Sequence, residues 1–124
     1  MANSDVRLAL WSGTNFSGRR ILLRRGGAAI RDMGAFRFDN ELSSFRLRNV
    51  VSSNEVTLVL FSLIHFRGTF RVFRGSQAVS NLSQNMFNNL TSSLILVGRN
   101  LTDSEINQIR ETGTPPRDIL VVRQ

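Results

Sequence analysis

Two hexapeptides hold the densest oxygen chemistry in this sequence, Asp39-Asn40-Glu41-Leu42-Ser43-Ser44 and Asn88-Asn89-Leu90-Thr91-Ser92-Ser93. Carboxylates, amides, hydroxyls and main-chain carbonyls gathered on a turn suit a hard cation such as calcium, which takes roughly six to eight oxygen ligands. Either hexapeptide alone reads more readily as a polar turn. The first brings two carboxylates, Asp39 and Glu41, whereas the second carries no charge. Other chemistry is scarce. There is no cysteine, which excludes disulfides, thiolate zinc sites and cysteine nucleophiles. The single histidine, His65, reads as a surface loop residue. Nothing sets a base beside a nucleophile, and no phosphate-cradling glycine loop or zinc spacing occurs, so no enzymatic activity is expected.

The hexapeptides belong to a longer repeat. Val6-Arg-Leu-Ala-Leu-Trp-Ser-Gly-Thr-Asn-Phe-Ser-Gly18 aligns without a gap to Val56-Thr-Leu-Val-Leu-Phe-Ser-Leu-Ile-His-Phe-Arg-Gly68, fifty residues on. Phe38–Ser44 aligns to Phe87–Ser93 at forty-nine, so the second copy has lost one residue between the two blocks. Apolar residues alternate at 6–11, 20–24 and 44–49 in the first copy, with a weaker strand near 28–31. The second copy repeats this at 56–61, 70–73, near 78–80, and 93–97. Eight short strands separated by turn signals predict a β-sandwich.

Each copy also carries an aromatic corner, Trp11, Phe16 and Gly18 in one and Phe61, Phe66 and Gly68 in the other. An aromatic ending a strand can pack over another five residues later as the hairpin folds back. The glycine can supply a positive φ or a close backbone approach. Together with the hexapeptides, these corners resemble the βγ-crystallin family, specifically its microbial calcium-binding type. The family pattern is aromatic-x4-aromatic-x-Gly with Asn/Asp-Asn/Asp-x-x-Ser/Thr-Ser. The resemblance covers residues 6–98 and departs in small ways, since Trp or Phe stands where Tyr is common and the chain has no tyrosine.

The resemblance implies an all-β fold of two Greek-key motifs, 6–49 and 56–98, forming one βγ-crystallin-like domain over 1–98. It also implies a double clamp in which each loop serves both sites. One site would use Asn40 and Glu41 with the Ser92 hydroxyl, following Asp39. The other would use Asn89 and the Leu90 carbonyl with the Ser43 hydroxyl, following Asn88. A main-chain carbonyl near Ser12 and one near Ser62 would complete the shells. Up to two Ca2+ ions are expected, bound weakly, with dissociation constants of about 10⁻⁵ to 10⁻³ M and the neutral loop the weaker. The second site is open to being vestigial.

All sixteen basic residues are arginine, and the formal charge is +7. Arginine pairs bidentately with carboxylate or phosphate, so an anionic partner such as nucleic acid is an alternative to an ordinary solvated surface. If the strands fold as the family's do, Arg20, Arg46 and Arg48 share one outward face. In the second copy, Arg46 and Arg48 become Ile95 and Val97, and Ala9 becomes Val59. That unit is apolar on both faces and calls for a cover. The segment 99–124 offers one. Thr102-Asp-Ser-Glu105 is a capping box, Ile106 and Ile109 share a helix face, Gly113 and Pro115-Pro116 end it, and 119–122 reads as a strand. This helix-turn-strand is expected to pack on the second motif; the rival is an exposed edge strand that forms a weak homodimer.

The N-terminus shows no signal-peptide pattern and no run approaches a membrane span, so a cytoplasmic chain with no membrane partner is expected. The leading functional expectation is a structural or stress protein stabilised by weak calcium binding. The alternative is an arginine-rich interaction module whose calcium sites are vestigial.

Overall fold

The alternation at the start of the chain becomes β1 (Val6–Gly13), which buries Val6, Leu8 and Leu10 and turns Arg7, Ala9 and Trp11 outward. The computed structural model describes residues 6–23, 27–36, 42–49, 55–82, 91–115 and 120–122. After β1 come β2 (Ser17–Leu23), β3 (Gly27–Ile30), a 3₁₀ turn (Met33–Phe36) and β4 (Ser44–Asn49). The second copy supplies β5 (Thr57–Leu63), β6 (Arg67–Arg74), β7 (Gln77–Val79) and β8 (Ser93–Val97), followed by α1 (Asp103–Thr112) and β9 (Leu120–Val122). Both hairpins extend closer to their turns than the periodicity predicts, since β2 begins at Ser17 and β6 at Arg67. The turn itself needs only three residues, 14–16 or 64–66.

The strands form two sheets, β2-β1-β4-β7 and β6-β5-β8-β3-β9. Each copy therefore gives three strands to its own sheet and sends its third across to the other. β3 pairs with β8, and β7 pairs with β4. All ladders are antiparallel except β3 with β9. The result is an all-β Greek-key sandwich.

Two apolar clusters result. Between the sheets lie Leu8, Leu10, Phe45, Leu47, Leu58, Leu60, Leu94 and Leu96 with their neighbours. Phe45 and Phe73 join the sheets edge to face, with centroids 4.8 Å apart. The other cluster lies on the outer face of the second sheet, where Val59, Phe61, Ile95 and Val97 meet Leu101, Ile106 and Ile109. That contact explains why every residue of β8 is buried although the strand lies in a two-layered sandwich.

α1 begins as the capping box predicts, with Thr102 accepting from the Glu105 N–H, and ends at Gly113 in the left-handed region. The Thr102 N–H, and secondarily Arg99, hold the Glu105 carboxyl below its ordinary pKa against a partial desolvation. The cap therefore contributes above the ordinary carboxylate range and is lost on acidification through it. Polar clamps complete the docking. Arg74 donates to the Leu101 carbonyl and pairs with Asp103 at 2.9 Å, Leu101 N–H donates to the buried Thr57 hydroxyl, and Arg31 reaches the Gly113 carbonyl at 2.9 Å.

One buried position conflicts with its surroundings. Thr91 stands where the first copy has Leu42, and both are fully buried. Leu42 belongs to the inter-sheet core, but the Thr91 hydroxyl has no hydrogen-bond partner among the described residues. Thr91→Val keeps the shape and removes the unpaired oxygen, so it is expected to raise stability by about 1–2 kcal/mol. Urea unfolding checks this, and a lowered midpoint would refute it.

Candidate metal centre

The site must be built from the backbone turns that flank the hexapeptides. Each hairpin turn contains two consecutive left-handed residues, Asn15 and Phe16 (φ 55° and 59°) and His65 and Phe66 (φ 59° and 62°). An aromatic in this conformation is strained and persists only when its surroundings over-determine it. Here the ring packs on the earlier aromatic, Trp11 to Phe16 at 5.2 Å and Phe61 to Phe66 at 5.8 Å. Gly18 and Gly68 follow at φ 86° and 83°, where a Cβ would strike the hydroxyls of Ser12 and Ser62. Those hydroxyls accept from the N–H groups of Arg19 and Thr69, each at 2.9 Å.

The last serine of each hexapeptide locks the turn. Ser44 Oγ donates to the Gly13 carbonyl at 2.6 Å and accepts from Phe16 N–H at 3.1 Å. Ser93 Oγ does the same with the Leu63 carbonyl at 2.6 Å and Phe66 N–H at 3.0 Å. In the sequence Ser44 and Ser93 are only the ends of the motif, and this locking role shows only in the fold. Their recurrence as the second member of a Ser-Ser pair in both copies was the available signal.

The preceding serines lie beside the opposite motif. Ser43 N–H donates to the Trp11 carbonyl at 3.0 Å, and the Ser43 carbonyl accepts from Leu82 N–H at 2.9 Å. Symmetrically, Ser92 N–H donates to the Phe61 carbonyl at 2.8 Å, and the Ser92 carbonyl accepts from Met33 N–H at 2.7 Å. Asn15 and His65 donate to the carbonyls of Ser80 and Arg31 in the same reciprocal sense. Ser43 is thus grouped with Ser12 and the connection entering the second hexapeptide, and Ser92 with Ser62 and the connection entering the first. Ser12 and Ser62 fall where the hairpin register shifts, so neither has a cross-strand partner in its ladder.

Of the predicted site residues, Ser12, Ser43, Ser62 and Ser92 are therefore located. Asp39, Asn40, Glu41, Asn88, Asn89 and Leu90 lie outside the described residues. Ser43 and Ser92 are 4 % and 5 % exposed. Buried serine side chains beside main-chain carbonyls offer the oxygen chemistry that a hard cation takes. Among the described residues, no three histidine or acidic side chains gather.

No family model matches the chain and no curated relative does. Solved structures do. One bearing on the evolution of the eye lens βγ-crystallin domain fold superposes at a TM-score of 0.62 with 20 % identity, covering 78 % of this chain and 88 % of its own. A βγ-crystallin from Ciona intestinalis gives 0.57 and 17 %, covering 71 % and 95 %. One from an archaeon gives 0.55 and 16 %, covering 80 % and 100 %. The chain has the βγ-crystallin fold.

Proposed function

We propose that this chain is a non-catalytic structural protein of the βγ-crystallin family, in which weak calcium binding at the crossed hexapeptide loops stabilises the native state. The observation that supports it is the reciprocal crossing. Ser43 and Ser92, the hydroxyl ligands of the resemblance, each touch the connection of the opposite motif, as a shared double clamp requires. Asn40 and Glu41 complete one site with Ser92, and Asn89 and the Leu90 carbonyl complete the other with Ser43. The first holds calcium more tightly because it alone has carboxylates, while the positive charge of the whole protein weakens both. A role in microbial stress follows from the resemblance.

A ligand that binds only the native state adds RT ln(1 + [L]/Kd) to its stability. A site with a dissociation constant of about 10⁻⁴ M adds about 1.4 kcal/mol in about 1 mM calcium. Thermal unfolding in calcium against chelator is expected to show a melting temperature that rises with calcium and saturates. Asp39→Asn with Glu41→Gln is expected to abolish most of that rise. Identical melts in calcium and chelator, with no heat on calorimetric titration, would rule the reading out.

A further inference from the structure

The two outer sheet faces have diverged at every equivalent position. On the second sheet, Thr57, Val59, Phe61, Phe70, Val72, Ile95 and Val97 face outward, and α1 covers part of that face. The matching residues of the first sheet are Arg7, Ala9, Trp11, Arg20, Leu22, Arg46 and Arg48. Arg7, Arg20, Arg46 and Arg48 are all exposed, and so is Leu22 at 46 %.

The register places these residues side by side on one face. Arg7 lies opposite Arg48, Ala9 lies between Arg46 and Leu22, and Trp11 lies between Ser44 and Arg20. The small Ala9 leaves a shallow depression rimmed by Arg7, Arg46, Arg48 and Leu22. Arg46 is steadied over the Phe16 ring at 4.6 Å, and a guanidinium stacked by its face still presents donors along its edge. No described outward position of this sheet holds a carboxylate.

We propose that this face binds nucleic acid through its phosphates, without reading sequence. The charge complementarity selects the partner's sign, and the array selects its form. Arginines two residues apart on β4 stand about 6.7 Å apart, and neighbouring strands about 4.8 Å. A sheet face with guanidiniums at these intervals meets a regular row of phosphates bidentately. The depression on this face is open to solvent and does not enclose the flexible side chains of an acidic peptide. The depression floored by Ala9 and edged by Leu22 accommodates the apolar side of a sugar.

Fluorescence anisotropy with a labelled duplex of about 20 base pairs tests this across a salt series. Four phosphate contacts give a slope of log Kobs against log salt near −3.6, from about −0.9 per contact. Arg7→Gln with Arg48→Gln is expected to shrink the slope to about −1.8 and weaken binding about tenfold or more at low salt. Arg67→Gln with Arg71→Gln removes the same charge on the other sheet and is expected to change the slope little. Should the first pair of substitutions prevent folding, Arg20→Gln alone is expected to reduce the slope by about 0.9. No binding at low salt would overturn the proposal. So would equal losses from both pairs, which would leave net charge alone as the cause. Competition by polyglutamate as strong as by unlabelled duplex would assign the face to acidic protein instead.

Discussion

Ile106→Asp combined with Ile109→Asp is expected to unfold the chain or make it aggregate at physiological temperature. Both isoleucines are buried, at 1 % and 5 % exposure, against Val59, Phe61, Ile95 and Val97. Truncating such a residue to alanine costs about 2–5 kcal/mol, and burying a carboxylate instead costs more. Two such losses rival the whole stability of an ordinary domain, about 5–15 kcal/mol. The helix alternatively detaches, which exposes a contiguous apolar sheet face and drives association. Size-exclusion chromatography and urea unfolding distinguish these outcomes, and deletion of 101–124 is expected to give the same result. Asn107→Asp, at an exposed position of the same helix, is the control. A double variant whose size and urea midpoint match those of the unsubstituted chain would show that α1 does not hold this face.

Ser93→Ala is expected to destabilise the fold by about 2–4 kcal/mol, and more than Ser44→Ala. The two hydroxyls make the same pair of hydrogen bonds, but their surroundings differ. Phe66 is fully buried under Phe61, so its orphaned N–H has no route to water. Phe16 is only half-buried, and water replaces the lost acceptor there. Loss of the lock also releases a left-handed phenylalanine that nothing local favours. Urea midpoints of the two variants measure the difference, and a larger loss from Ser44→Ala would contradict it.

Much of this architecture was legible because it is periodic. Alternation placed β4 and β8 at their observed bounds, and the duplication put the aromatic corners and both hexapeptides in corresponding places. The capping box and Gly113 marked α1, since helix ends depend on side chains within a few residues of one another. The turn geometry was less visible. A left-handed phenylalanine runs against residue preference, and only its packing on Trp11 or Phe61 and its serine acceptor make it tolerable. The strand ends consequently ran past the predicted boundaries.

By itself the sequence determined two like units of short strands, their capped helix, a cationic surface and the oxygen-rich turns. Its information on those points is local, carried by side-chain period, propensity and charge. Only the tertiary structure decided that β3 and β7 change sheets, that Ser43 meets Leu82 and that Ser92 meets Met33. Those choices depend on backbone hydrogen bonds and burial between residues tens of positions apart. Such pairings leave no period in the chain and exist only once the two sheets close on a common core.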